Sequence, residues 1–284
     1  MGNATGGPVP PSGSGLFVSA EGHLDGCPSV ASGPLVPGRP GCFPTLRGVD
    51  PDTHEPEPVG PAVGLGVLHL FCRLGPEVDR EAVLAAEDEA RQRGAQVVAV
   101  ALLGHKAEIG LMALGPDLWQ LRDLQTSVRR AGLDPVGSYV SLTEVSEYAA
   151  GVPEDLKNAR LYPALPPAGK PAFCFYPMSK RRAPDHNWYS LDFDERKALM
   201  FGHGKVGRTF AGRVLQLITG STGLDDWEWG VTLFAARPDD LKECVYQMRF
   251  DEASARFAEF GPFYTGLVGE LGEVLDRVLG AAGR

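Results

Sequence analysis

The order of strand-like and helix-like segments favours an α+β fold with antiparallel sheets, built from two halves that repeat one plan. Apolar periodicity predicts the order strand, helix, strand, strand, helix, strand between Gly66 and Ser141, which is the ferredoxin-like arrangement. A similar order returns after Pro171. We therefore expect a tail over residues 1–62, a first half with its connector over 63–170, and a second half over 171–284.

The elements of the first half follow one another through short turns. Helices are predicted at Val78–Arg93 and Asp117–Ala131, and four strands at Gly66–Arg73, Gln96–Leu103, Glu108–Ala113 and Val136–Ser141. The connector Leu142–Lys170 ends in several prolines. At its start, Thr143 is expected to cap a short helix.

In the second half, a strand and a long helix come first. The helix is predicted at Asp192–Phe210, where Asp192 and Glu195 have the spacing of a capping-box variant. Another helix is predicted at Pro238–Met248, and helical character returns at the C-terminus. Four strands are predicted at Phe173–Met178, Arg213–Thr219, Glu228–Ala235 and Phe260–Leu267.

Composition restricts the partners and the location of this chain. Residues 1–62 are dominated by Gly, Pro and Ser, so we expect them to be disordered. The net charge of −9 argues against a nucleic-acid partner. No apolar run reaches the roughly 18–20 residues that span a bilayer, and no secretory signal begins the chain. Five scattered cysteines fit reduced thiols, so we expect a cytoplasmic protein.

His203 is the most informative side chain in the sequence. It lies on an apolar stripe of the predicted helix, with Leu199 and Met200 one turn before it. Gly202 and Gly204 flank it, and each costs about 1 kcal/mol of helix propensity relative to Ala. A neutral imidazole with cleared space beside it suits a haem iron. The alternative is a histidine of the apolar core.

Tyr176 is a second candidate, because it lies where a strand meets a basic loop. Lys180, Arg181 and Arg182 follow it closely, so a phenol stands beside cations that could hold carboxylates. The alternative is an aromatic core position followed by an ordinary basic loop.

Five segments of the chain resemble the coproheme decarboxylases of the chlorite dismutase superfamily. They are FYPMSKRR, NWY, HGKVGRTFAGRVLQL, DDWEWGVTLF and MRFDEASARFAEFGPFYTG. The similarity is dense over about residues 160–267 and fainter over 63–142. The resemblance implies two ferredoxin-like halves of the dimeric α/β-barrel type, with a porphyrin in the second half.

The same resemblance implies roles for matching positions. His203 matches the proximal iron ligand, and Tyr176 matches a catalytic tyrosine that is oxidised to a radical. Arg160, Lys180 and Ser254 match residues that hold the substrate's carboxylates. Porphyrin-binding side chains are implied at Arg160, Tyr176, Pro177, Met178, Ser179, Lys180, Gln216 and Ser254.

The residue at position 216 distinguishes the chlorite-degrading members of the superfamily from the decarboxylases. Chlorite-degrading members carry an arginine thirteen residues after the proximal histidine, where this chain has Gln216. A glutamine cannot supply the fixed cation that would hold chlorite. One decarboxylase branch instead uses a histidine in the connector, and the connector of this chain has none.

The activity implied is peroxide-dependent decarboxylation of Fe-coproporphyrin III (coproheme) to haem b, in haem biosynthesis. Coproheme is then both substrate and redox centre, and hydrogen peroxide is the co-substrate. The resemblance also implies a homopentamer and transient contact with coproporphyrin ferrochelatase. Two alternatives remain open, which are another haem peroxidase or chlorite dismutase-like enzyme, and a haem-binding protein without catalysis.

Overall fold

The computed structural model describes residues 57–149 and 151–280 of the chain. The predicted disordered tail therefore lies mostly outside the described residues. Within the described part, nine strands form one antiparallel sheet and two very short strands form a separate hairpin. The α+β fold class with antiparallel sheets is confirmed.

The first half has the predicted order of elements, and the bounds shift by only a few residues. Its strands lie in the spatial order β2-β3-β1-β4, which is that of a ferredoxin-like sheet. Asp79 and Asp117 cap the two helices by accepting from Ala82 N and Trp119 N. The elements are β1 (Gly66–Leu74), α1 (Arg80–Gln92), β2 (Gln96–Leu103), β3 (Ile109–Gly115), α2 (Leu118–Arg130) and β4 (Leu133–Thr143).

The second half repeats the arrangement, with the strand order β8-β9-β5-β11. The predicted cap of its long helix is confirmed, because Asp192 Oδ1 accepts from Glu195 N at 2.8 Å. The elements from the connector onward are α3 (Glu154–Leu161), β5 (Ala172–Lys180), β6 (Arg182–Ala183), β7 (His186–Asn187), α4 (Phe193–Arg208), β8 (Val214–Gly220), β9 (Trp229–Ala235), α5 (Pro238–Met248), α6 (Glu252–Phe257), β10 (Ala258–Phe260), β11 (Tyr264–Gly269) and α7 (Leu271–Val278).

Two seams join the halves into a closed barrel of eight strands. At one seam, five residues of β11 pair with β2, from Thr265 opposite Leu103 onward. At the other, only Leu142 and Thr143 of β4 pair with β8. Within the second half, β5 pairs with β9 on one side and with β11 on the other, and β10 continues beside the end of β5.

Strand alternation sends side chains either into the barrel or outward beneath the helices. The interior is filled from both halves by a cluster that includes Phe71, Met112, Phe175 and Phe234. Outside, α1, α2 and α7 cover the first half. The outer sheet face of the second half packs against α5 through a buried group that we call the phenol cluster: Ala172, Cys174, Tyr176, Phe210, Val214, Val231, Leu233, Ala235, Leu241 and Cys244.

Two expectations about the chain path are wrong. Thr143 does not cap a helix, because pairing with β8 extends β4 through it. Its hydroxyl instead donates to Leu161 O at 2.8 Å, and it accepts from Leu65 N at 2.8 Å. The final strand is split into β10 and β11. Both pair with β5, but the register shifts by one residue between Phe260 opposite Met178 and Tyr264 opposite Phe175, so the residues between them form no regular strand.

Candidate functional site

The outer face of the second half brings several candidate residues onto one surface. Across β5, β9 and β8, Tyr176 is opposite Val231, which is opposite Ile218. Gln216 precedes Ile218 by two residues on β8, so it shares this face with Tyr176. Ile218 is 42% exposed, which is unusual for a central apolar residue on a helix-covered face. The surface therefore has an apolar area that no described residue covers.

Alternation along β5 separates the candidates of the YPMSK segment. Met178 and Lys180 lie on the same side as Tyr176, at i+2 and i+4. Pro177 and Ser179 lie on the opposite side, where Ser179 Oγ accepts from Glu228 N at 3.2 Å. The structure thus brings three of these five predicted porphyrin contacts onto one surface and directs the other two away.

Helix α4 carries His203 and contributes no fully buried residue, although one stripe of it is apolar. Leu199, Met200 and Val206 on this stripe are only partly buried, and the His203 side chain is 29% exposed. A Cβ added at Gly202 would meet no heavy atom within 4 Å. His203 is therefore not an interior histidine, and the described residues leave the apolar stripe of its helix partly uncovered.

One nitrogen of His203 is held by a carboxylate. Nδ1 lies 3.1 Å from Asp251 Oδ2, while the Asp251 side chain is only 4% exposed. The other oxygen, Oδ1, accepts from Ser254 N at 3.1 Å as the cap of α6. Burial alone would raise the pKa of Asp251. The hydrogen bond and the charge of His203 lower it, as do the hydrogen bonds from Ser254, and together they leave the pKa of Asp251 below its ordinary value.

This geometry leaves the second imidazole nitrogen for a metal. No hydrogen bond among the described residues uses His203 Nε2. A metal-ligating histidine commonly donates its other N–H to a carboxylate, which fixes the ring orientation and raises its basicity. His203 and Asp251 have this relation, so the site fits an iron held through Nε2. Ser254 Oγ also lies near His203 Nδ1, at 3.4 Å.

Tyr176 is buried among aromatic rings. Its ring stacks on Phe263 with centroids 4.5 Å apart and meets the edge of Phe260 at 5.7 Å. Burial raises the pKa of the phenol well above its usual value, with a smaller opposing effect from Arg249. The phenol therefore keeps its O–H at neutral pH, and it can give up a hydrogen atom.

Lys180 is buried near the histidine–carboxylate pair. Its ammonium donates to Ala253 O at 3.3 Å and lies 4.3 Å from the centre of the Trp188 ring. Burial lowers the pKa of Lys180 to about 8, although Asp251 and Glu228 favour its charged form. A cation with this pKa remains mostly protonated at neutral pH.

The two remaining candidates occupy different positions. Gln216 Nε2 donates to Gly207 O at 3.3 Å, one helical turn beyond His203, so it lies between the sheet and α4. Arg160 lies in the last turn of α3 and is exposed. Within residues 57–149 and 151–280, none of the hydrogen bonds or ion pairs joins Arg160 to Tyr176, Lys180 or His203.

No pattern in the sequence indicates a role at the site for Asp251 or Trp188. Asp251 could have been found as a cap, because it precedes Ser254 by three residues at the start of a short helix. Its partner His203 lies 48 residues away, and no local spacing indicates that pairing. Trp188 lies on a turn of 3₁₀ helix after β7, where only the fold brings it over Lys180.

The chain matches the family model described as chlorite dismutase over residues 78–269. It belongs to the chlorite dismutase family. The described residues of this family member include no helix that is long and apolar enough to cross a membrane.

Relatives of this chlorite dismutase family member include proteins described as heme-binding. A Natronomonas pharaonis protein that carries the name of a heme-binding protein is 42% identical over 243 residues, covering 74% of this chain. The alignment spans only 40% of that relative's length. The structure of a heme-binding protein from Thermus thermophilus is 36% identical, with a TM-score of 0.68. The match covers 80% of this chain and 100% of the Thermus thermophilus chain.

A more distant solved structure supports the fold. A chlorite dismutase mutant from Candidatus Nitrospira defluvii is 19% identical, with a TM-score of 0.60. The match covers 77% of this chain and 96% of the chlorite dismutase chain. The predicted chlorite dismutase-like architecture is thereby confirmed.

Proposed function

We propose that this protein is a peroxide-dependent coproheme decarboxylase that makes haem b. The observation that carries the proposal is the placement of Tyr176 on the same sheet face as Gln216, which reaches α4 one turn beyond His203. An oxidisable phenol and a ligand for iron then serve one site. The heme-binding names of the relatives support the porphyrin, and the choice of coproheme rests on the resemblance of the motifs.

His203 would hold the porphyrin iron through Nε2, with Asp251 fixing the ring through Nδ1. Bound coproheme supplies the iron that reduces hydrogen peroxide and so provides the oxidising equivalents. The apolar stripe of α4 and exposed Ile218 would be covered by the flat ring. Such contacts would keep water away from the part of the porphyrin that they cover.

Tyr176 would carry out the hydrogen transfer. Oxidation removes the hydrogen of its O–H, and the phenoxyl oxygen then takes a hydrogen atom from a propionate side chain. That side chain loses a second electron and carbon dioxide, and it becomes a vinyl group. Each propionic acid group with one hydrogen peroxide yields one vinyl group, one carbon dioxide and two waters. The high pKa of Tyr176 keeps the phenol in the protonated form that the cycle needs.

The cationic and hydroxyl side chains would bind the carboxylates of the substrate. The amino group of Lys180 is mostly protonated and lies near the site, and the hydroxyl of Ser254 lies beside His203. Arg160 lies on the exposed end of α3 and would approach from the connector. Holding the carboxylates orients one propionate towards Tyr176.

Gln216 favours decarboxylation over chlorite degradation, because a neutral amide provides no fixed charge for an oxychlorine anion. A heme carrier without catalysis would not need Tyr176 beside the porphyrin. We further propose a cytoplasmic homopentamer that contacts coproporphyrin ferrochelatase transiently and receives its substrate there.

The test adds coproheme and stoichiometric peroxide to the purified protein and weighs the porphyrin by mass spectrometry. We expect haem b from the wild type, and bound but unconverted coproheme from Tyr176→Phe, which keeps the ring's shape. His203→Ala should weaken binding and change the Soret spectrum. His186→Ala is the matched control, since His186 pairs with Asp185 on the β6–β7 hairpin. This variant should bind coproheme as the wild type does. Substantial haem b from Tyr176→Phe would refute the catalytic role.

A further inference from the structure

Two buried cysteines share the phenol cluster with Tyr176. Cys174 precedes Tyr176 by two residues on β5, so the two side chains leave the same face with Cα atoms about 7 Å apart. Cys244 lies on α5, which packs against β5, β8 and β9 over that face. Cys174, Cys244 and Tyr176 thus belong to one buried cluster between the sheet and α5.

These thiols are protected from direct attack by peroxide. Burial is the main effect that raises the pKa of Cys174 and of Cys244 to about 11. The thiolate is the form that reacts with peroxide, so very little of either residue is reactive at neutral pH. A neutral thiol can nevertheless give a hydrogen atom to a neighbouring phenoxyl radical, because that step needs no thiolate.

We propose that Cys174 and Cys244 reduce the oxidised form of Tyr176 when no propionate hydrogen is within its reach. The inference rests on the proposed function, since that function supplies both the peroxide and the oxidised phenol. The condition arises after the second decarboxylation, when the product haem b still occupies the site and can still reduce peroxide. Tyr176 then has no substrate to oxidise, and the two thiols of the phenol cluster are hydrogen-atom donors packed in the same cluster.

The step balances with peroxide as the oxidant. Each oxidising equivalent removes the hydrogen of the Tyr176 O–H, and the phenoxyl oxygen regains a hydrogen atom from a thiol. Two equivalents break both S–H bonds, and the sulfurs of Cys174 and Cys244 then join as a disulfide. Overall, one hydrogen peroxide and two thiols become two waters and one disulfide. The phenol is restored, and a thiol reductant can reverse the change.

The experiment uses the full chain with Cys27→Ala and Cys42→Ala, so that the remaining cysteines are the three described ones. The protein is loaded with haem b, given one equivalent of peroxide, and digested for peptide mass spectrometry. We expect a Cys174–Cys244 cross-link two hydrogens lighter than the free peptides. Cys72 is the internal control, because burial also raises its pKa, to about 12, but it packs in the first half away from Tyr176.

Tyr176→Phe is the deciding variant. It should keep both thiols after the same treatment, since the haem can no longer pass its oxidising equivalents through a phenol. Intact thiols in the Tyr176-containing protein, equal oxidation in Tyr176→Phe, or equal oxidation of Cys72 would each overturn the proposal. Peroxide without haem b should leave Cys174 and Cys244 reduced, and their oxidation there would equally refute it.

A parallel sample loaded with coproheme separates the two proposals. Conversion to haem b in that sample, with intact thiols in the haem b sample, would refute the thiol role alone. Failure to convert coproheme would refute the proposed function itself. Cys174→Ala adds a second readout, because repeated peroxide should then modify Tyr176 more extensively than in the Cys174-containing protein.

Discussion

Replacing Asp251 with Asn would measure how strongly the carboxylate supports an iron on His203. The change removes a buried negative charge 3.1 Å from Nδ1 and replaces it with an amide of similar shape. Loss of such a partner typically weakens metal affinity about 10- to 100-fold. That range corresponds to about 1.4–2.7 kcal/mol of binding free energy. We therefore expect the affinity for Fe-coproporphyrin III to fall within this range.

Asn is chosen because it preserves the cap of α6. Asp251 Oδ1 accepts from Ser254 N, and an Asn oxygen can accept the same bond, whereas Ala would also forfeit about 1 kcal/mol of capping. Asp192→Asn is the matched control, since Asp192 caps α4 in the same way through Glu195 N and makes no bond to His203.

The assay is a Soret titration of each variant with Fe-coproporphyrin III, with urea unfolding to verify the fold. Asp251→Asn should bind weakly and with a shifted Soret maximum, and Asp192→Asn should match the wild type. A dissociation constant for Asp251→Asn within twofold of the wild type, with an unchanged spectrum, would show that Asp251 does not support the iron ligand.

Two further predictions concern stability. The imidazole of His69 is fully buried, which lowers its pKa to about 3, so between about pH 6.5 and pH 3 the unfolded chain binds its proton and the folded chain does not. The free energy of unfolding should therefore fall by about 2 kcal/mol more from pH 8 to pH 5 in the wild type than in His69→Gln; equal slopes in urea titrations would contradict this. In the apoprotein, Gly202→Ala should raise the free energy of unfolding by about 1 kcal/mol, because alanine favours the helix and its Cβ would meet no heavy atom within 4 Å. Gly266→Ala should lower the melting temperature sharply, because its Cβ would overlap the carbonyl oxygen of Ala101; similar melting curves for the two would refute the argument.

The order of elements could be predicted because the local patterns agree with their final environments. Each long helix has one apolar face, and Asp79, Asp117 and Asp192 lie where caps are expected. The closure of the barrel could not be predicted in the same way. The β4–β8 seam consists of two residue pairs far apart in sequence, so no periodic pattern specifies it.

The candidate site shows the same division. Alternation along β5 already implied that Pro177 and Ser179 face away from Tyr176, and that signal was available in the sequence. The contact between His203 and Asp251 depends on α4 meeting the start of α6, which only the tertiary fold provides. Burial of Lys180 beneath Trp188 depends likewise on the path of the chain after β5.

The ring of eight strands also limits how copies of this chain can meet. Sheets that end in a free strand can add a strand from a neighbour, which is a common route to both assembly and aggregation. Around the described barrel, every one of the eight strands has a partner on each side, although β4 and β8 pair with each other only at Leu142 and Thr143. We therefore expect the proposed pentamer to be held mainly by side chains of helices, loops and outer sheet faces. Main-chain hydrogen bonds between copies are available only along the stretches of β4 and β8 that do not pair with each other, and at the short strands outside the barrel.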